Sequence, residues 1–172
     1  MRLEHLFDGD FVVVWSAYID LAAPVSYSFA HGEGTVSGKH FTGTAKWSNH
    51  PWRRPDGVWN PDMHGIITTD DAATLRFAFR GLSVPSPGPE SRYSFVASAT
   101  FQADAEKYRW LNNVMGVVEA ELIVGTLIRI NLRAHACVNE LATWHPAIPE
   151  PPNPSNPSLN WRANGVPPLS PG

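Results

Sequence analysis

Apolar and polar residues alternate with a period of two along most of the chain, which is the pattern of half-buried β-strands. The clearest case is residues 92–102, where every second residue from Tyr93 to Phe101 is apolar. Residues 117–124 and 127–138 alternate in the same way on either side of Gly125 and predict a hairpin. The chain is therefore predicted to be built mainly from antiparallel strands.

Further strands and one helix complete the predicted element list. Asp104 is a suitable N-cap for a short helix over residues 105–111, which Gly116 prevents from extending far. Strands are also predicted at 11–19, 26–31, 32–47, 64–69 and 73–79, with a turn at Asp70-Asp71 between the last two. Seven to ten strands with little helix indicate an antiparallel sandwich or a barrel. We predict an all-β fold, a closed antiparallel β-barrel of about eight to ten strands, because closure removes exposed strand edges.

Proline divides the chain into two parts. Nine of its sixteen prolines lie beyond Trp144, and proline cannot continue a helix interior or a central strand. We predict a barrel domain over residues 1–147 and an extended, proline-rich tail over residues 148–172. Leu159 and Trp161 could anchor that tail on a surface, or they could be incidental apolar residues of a solvated terminus.

Charge and composition exclude several classes of function. A net charge of −3 with 17% charged residues gives no basic surface, so nucleic acid is not expected as a partner. No apolar run approaches the length of a membrane span, and Cys137 is the only cysteine, so we predict a cytoplasmic protein with no membrane association. Phosphate-binding, dinucleotide-binding and serine-nucleophile motifs are all absent. No cofactor and no metal are predicted, although two histidines and a carboxylate on adjacent strands stay open as an alternative.

The segment from Trp47 to Asp71 is the richest in chemistry, with aromatic rings beside titratable groups. Asp62 and His64 are two residues apart, so on a strand both side chains point to the same face. A carboxylate beside an imidazole fixes its tautomer and stabilises its protonated form, which suits general acid–base catalysis. We predict that the pair faces the barrel lumen and is catalytic; the alternative is a solvated pair at the start of a strand.

Polar residues also share one face of the hairpin around Gly125. Glu119 and Glu121 lie on one strand; Arg129, Asn131, Arg133 and His135 alternate with apolar residues on the next. If this face lines the lumen, Glu119 is a catalytic base, and Arg129, Arg133 and His135 bind the ligand. If it faces water, the same residues form cross-strand ion pairs on the surface.

Several motifs along the chain resemble those of a family of small bacterial β-barrel proteins known only as a domain of unknown function. They are Gly43-Thr44-Ala45-Lys46-Trp47, then Asp62, then Thr69-Asp70-Asp71, and finally Tyr108-Arg109-Trp110-Leu111-Asn112, spread over residues 30–135. The resemblance implies a lipocalin-like or allene-oxide-cyclase-like barrel, but no common reaction. His64 stands where the family tends to carry arginine, and the loop 48–61 is longer and richer in tryptophan.

These residues together predict what the protein does. We expect a cofactor-independent acid–base enzyme of the isomerase, cyclase, lyase or hydrolase type, acting on a small aromatic or apolar cyclic molecule in the lumen. The alternative is a non-catalytic, lipocalin-like binding or carrier protein. Ligand binding is assigned to Trp47, Trp52, Trp59, Trp110 and Asn112, although buried tryptophans also serve simply as core. Exterior Val, Ile and Leu predict a homo-oligomer, either a dimer or a trimer.

Overall fold

The computed structural model describes residues 1–20, 25–88, 91–141 and 147–150. Ten strands and a 3-10 helix at Glu106–Asn113 lie in this part of the chain. The strands are β1 (Arg2–Asp20), β2 (Ser26–Ser37), β3 (Thr42–Asn49), β4 (Trp52–Arg53), β5 (Trp59–Asn60), β6 (Asp62–Thr69), β7 (Thr74–Pro85), β8 (Arg92–Ala103), β9 (Met115–Val124) and β10 (Ile128–Val138). Most of the predicted tail, with Leu159 and Trp161, lies outside the described residues.

Eight of the described strands close into an antiparallel barrel, which confirms the predicted fold class. Around the barrel the strand order is β1-β2-β3-β6-β7-β8-β9-β10, and β10 pairs again with β1. The short strands β4 and β5 form a flap between β2 and β7 at one end, which we call the flap end. Register shifts occur in β1 between His5 and Phe7 and between Val13 and Trp15. Such irregularities bend a strand, which helps β1 to follow the curvature of the barrel while pairing on both sides.

The inside of the barrel is a packed aromatic core. Alternate residues of each strand point inward, as the period-two pattern requires. Phe77 and Phe79 have ring centroids 4.6 Å apart, and Phe101 makes edge contacts with Phe79 and with Phe7. These rings fill the space in which a ligand was expected, so the lumen is a hydrophobic core.

The 3-10 helix covers the other end of the barrel, which we call the helix end. Tyr108 and Leu111 are buried there, and the Asn112 side chain holds Ala103 by accepting from its N–H at 2.6 Å and donating to its carbonyl at 3.0 Å. The expected cap at Asp104 is wrong. The residue before the helix is Ala105, and no side chain caps it.

A turn after β6 carries the one positive φ among the described non-glycine residues. Ala72, directly after Asp70 and Asp71, has φ 64°. A left-handed conformation is strained for any residue with a Cβ, so we expect Ala72→Gly to raise the free energy of unfolding by about 0.5–1 kcal/mol in chemical denaturation.

Ala105 offers the matched control for that substitution, because it has an ordinary φ of −60°. There glycine adds chain entropy to the unfolded state and removes a partly buried methyl group, so Ala105→Gly should lower stability by about 0.5–1 kcal/mol. Equal effects of the two substitutions would contradict the strain at Ala72.

Candidate functional site

Asp62, His64 and Arg80 form a hydrogen-bonded group on β6 and β7. The Asp62 Oδ1 atom lies 2.8 Å from His64 Nε2 and accepts from Arg80 Nε at 2.7 Å. The pairing of β6 with β7 sets Asp62 directly opposite Arg80. The hydrogen bond from Arg80, supported by that from His64, lowers the pKa of Asp62. The carboxylate is therefore ionised at neutral pH.

The prediction that Asp62 and His64 face the lumen is wrong. Both side chains do share one face, but it is the outer one; they are 40% and 32% exposed. On β6 the buried positions are instead Met63, Ile67 and Thr69. The period of two does place both side chains on one face of the strand. By itself, however, it does not say which of the two faces is apolar enough to fill the barrel.

The hydrogen bond to Asp62 orients the imidazole of His64. Because Nε2 is directed at a carboxylate, it carries the proton, and in the neutral ring Nδ1 then has a free lone pair. Among the described residues Nδ1 has no hydrogen-bond partner. The neutral ring therefore keeps its Nδ1 lone pair free of any partner in the described part of the chain.

His64 lies on the wall of an open groove in the outer surface, with a volume of about 630 Å³. One wall is a cross-strand row in which His31, Ser48 and His64 lie opposite one another on β2, β3 and β6. The groove is lined by Val14, His31, Gly32, Glu33, Lys46, Trp47, Ser48, His64, Gly65, Ile66 and Arg76. The groove therefore places His64, with its partner Asp62, beside apolar side chains and beside two cationic ones, Lys46 and Arg76.

The predicted ligand-binding tryptophans are dispersed. Trp47 is buried and stacks on Phe11 with ring centroids 6.2 Å apart, and its indole N–H has no hydrogen-bond partner among the described residues. Trp52 is exposed on the flap, where Trp59 makes an edge contact with Tyr18. Trp110 packs against a histidine at the helix end, far from His64. Of the four, only Trp47 borders the groove.

The polar residues of the β9–β10 hairpin form a separate surface cluster. Glu119 lies 3.3 Å from His135 Nε2 and 3.8 Å from Arg133, which also donates to Asp8 at 2.9 Å. Arg129 is exposed on the same outer face, opposite Ile123. The strands β7 and β8 separate this cluster from β6. Glu119, Arg129, Arg133 and His135 therefore belong to a different face from the acid–base pair.

The motif residues at the helix end have structural roles in this geometry. Partial burial by itself would raise the pKa of Asp71, but hydrogen bonds from Lys107, Thr69 and Tyr108 lower it to about 2. Tyr108 Oη donates to Asp71 at 2.9 Å, and this bond ties the helix to the turn after β6. Together with the clamp made by Asn112, this bond holds the 3-10 helix against the end of the barrel.

Arg80 is the site residue that sequence reasoning missed, although a signal for it existed. In an antiparallel hairpin, residues equally far from the turn lie opposite each other. Asp62 and Arg80 are both nine residues from Asp71, in the turn that the sequence predicts. Counting outward from that turn would have paired them.

Within residues 1–20, 25–88, 91–141 and 147–150, no three His, Cys, Asp or Glu side chains are arranged to hold a metal ion. The helix in those ranges is too short to cross a membrane.

The fold and the surface site define a small closed antiparallel β-barrel with an acid–base group on its outer wall. A family model described as "Protein of unknown function (DUF3237)" matches residues 22–135, and the chain belongs to that family. No curated protein matches the chain.

Solved structures share the fold at low sequence identity. A β-barrel-like protein from Acinetobacter baumannii is 18% identical with a TM-score of 0.68, and the match covers 78% of this chain and 95% of that one. A protein of unknown function from Clostridium acetobutylicum is 23% identical with a TM-score of 0.69, over 79% and 96%. An enzyme from Penicillium herquei is 21% identical with a TM-score of 0.58, over 76% and 93%. These similarities establish the barrel.

Proposed function

We propose that this protein is a cofactor-independent acid–base enzyme acting on a small, largely apolar or aromatic molecule. The substrate lies in the outer groove beside His64, not in the lumen. The observation that carries the proposal is the 2.8 Å contact between Asp62 Oδ1 and His64 Nε2 at the edge of that groove.

The proposed chemistry is proton transfer through His64. Its free Nδ1 removes a proton from a carbon or hydroxyl group of the substrate, and the ring becomes an imidazolium. Asp62 stabilises that cation and keeps the ring in one tautomer, as the carboxylate of a catalytic triad does. Arg80 holds the carboxylate in place. Returning the proton to another atom of the substrate completes an isomerisation or a cyclisation.

The groove offers two kinds of contact to such a substrate. Ile66 and Val14 give apolar surface for a ring, while Lys46 and Arg76 can pair with an acidic substituent. The Penicillium herquei protein of the same fold is described as an enzyme, which favours catalysis on this barrel without indicating a reaction.

A non-catalytic binding or carrier protein is the second candidate, and the openness of the groove favours it. Enzymes that move protons usually exclude water from the site, and a surface groove in a single chain does not. A carrier would bind its ligand equally well without Asp62 or His64, whereas an acid–base enzyme would lose turnover.

The test uses 5-nitrobenzisoxazole, whose ring opens when a base removes its one carbon-bound heterocyclic proton, and whose phenolate product is coloured. Positioned acid–base groups typically contribute 10²–10⁴-fold. We therefore expect His64→Gln to lower kcat/KM by about 100-fold and Asp62→Asn by about 10-fold or more. Circular dichroism should show an intact fold, because both side chains are partly exposed.

His50→Gln is the matched control, since His50 is exposed on the same wall of the barrel but does not line the groove. It should keep the wild-type rate. Turnover by His64→Gln equal to that of the wild type would eliminate the proposed base. Retained binding of the probe without any turnover in the wild type would favour the carrier.

A further inference from the structure

A ridge of exposed apolar side chains runs along the outer face of β1, β2 and β4. Ile19, Tyr27 and Trp52 lie opposite one another in one cross-strand row, Phe29 lies two residues along β2 from Tyr27, and Trp15 lies opposite His31. We call this surface the aromatic ridge; its members are Val14, Trp15, Ile19, Tyr27, Phe29 and Trp52, each 40–58% exposed. Apolar side chains are expected inside the barrel, so six on one stretch of its outer wall require an explanation.

The area of the ridge is large for a free surface. Large side chains present about 150–250 Å² each, so six that are about half exposed offer roughly 600 Å². The largest apolar patch on a typical monomer measures about 300–600 Å². A stable interface buries about 800 Å² per partner, which the ridge and the adjoining groove together approach.

The ridge adjoins the proposed site. Trp15 stacks on His31 with ring centroids 5.8 Å apart, and Val14 and His31 line the groove that contains His64. Ligand sites usually bury 70–90% or more of a small molecule, which an open groove in a single barrel wall does not achieve. The site is incomplete until something covers it.

The charges beside the ridge are self-complementary. Glu33 and Lys46 lie opposite each other on β2 and β3, yet neither makes an ion pair within the described part of the chain. In a symmetric interface the same patch meets itself. Glu33 of one copy then has a cation available on the other, so neither charge is buried unpaired.

We propose that a second copy of this chain packs on the aromatic ridge and closes the groove over His64. The second copy supplies the cover that excludes water from the acid–base pair. The statement about the groove rests on the function proposed above, whereas the assembly through the ridge does not depend on it.

Sedimentation velocity of the full-length chain at micromolar concentration tests the assembly. We expect a dimer, because a patch that meets itself joins two copies. Trp15→Glu and Phe29→Glu each place a charge in the interface and should weaken association at least 30-fold, since central aromatic residues dominate interface energetics. Met115→Glu is the control, because Met115 is as exposed as Trp15 (53% against 52%) but lies at the helix end; it should leave the mass unchanged.

Acylation of histidines by diethyl pyrocarbonate, read by peptide mass spectrometry, tests which face is covered. His31 and His64 should react at least 10-fold more slowly in the wild type than in Phe29→Glu, with His135 on the far wall as the internal reference. A monomeric wild type overturns the proposal and leaves the His64→Gln experiment untouched. An oligomer in which His31 and His64 react as fast as in Phe29→Glu also overturns it, because the copies then meet elsewhere.

Discussion

Phe79→Ala is expected to lower the free energy of unfolding by about 4 kcal/mol, within the range for removing a phenyl ring from a core. Phe79 is fully buried, and its ring lies against Phe77 and Phe101 in the middle of the barrel. Strands paired all round the barrel cannot move inward to fill the space, so both the transfer free energy and the cavity contribute. Chemical denaturation monitored by circular dichroism measures the change.

Val96→Ala is the control for that loss. Val96 lies on the neighbouring strand β8 but is 58% exposed on the outer face, so its truncation should cost no more than about 0.5 kcal/mol. If Phe79→Ala cost less than about 1 kcal/mol, the lumen would have to be loosely packed, and a ligand site inside the barrel would again have to be considered.

Gly32→Ala is expected to cost about 3 kcal/mol, at the upper end of the usual range for overpacking. A Cβ at position 32 would lie 2.1 Å from the carbonyl oxygen of Val12 and 2.3 Å from Cζ2 of Trp47. The oxygen belongs to the paired backbone of β1, and the indole is held against Phe11, so neither can give way cheaply. The same denaturation experiment applies.

Gly125→Ala separates this clash from the general effect of replacing a glycine. A Cβ there meets only the Leu127 carbonyl oxygen, at 3.8 Å, which is an ordinary contact. The free energy of unfolding of Gly125→Ala should differ from that of the wild type by less than about 0.5 kcal/mol. A similar small effect at Gly32 would mean that Trp47 can leave its place in the core.

The packed lumen leaves no space for a ligand inside this barrel. Small barrels of about eight strands can either fill with side chains or hold one small ligand, and this one is filled by phenylalanines. Asp62, His64 and the charged residues of the β9–β10 hairpin therefore lie on the outer wall, where strand pairing sets them in rows. The proposed proton transfer at His64 would need an external cover, and the proposed contact of a second copy on the aromatic ridge would supply it.

The amino-acid sequence by itself determined the class of the fold. Period-two alternation, for example from Tyr93 to Phe101, is sufficient to predict strands, and the turns at Asp71 and Gly125 give their antiparallel order. It also predicted that Asp62 and His64 share a face, because that follows from the geometry of any strand. The motifs from Gly43 to Asn112, taken in order, indicated the family, which the match over residues 22–135 confirms, although they did not give the role of each residue.

Only the tertiary structure decided which face is inside. Asp62 and His64 point outward because Met63 and Ile67 fill the barrel better, and that choice depends on what the other seven strands place around the same space. The partnership of Arg80 with Asp62 likewise depends on register, and the separation of Glu119 from His64 depends on closure of the barrel. The local sequence pattern sets the alternation of side chains along a strand. Which of its two faces points inward, and which strands lie beside it, are set by the packing of the whole barrel.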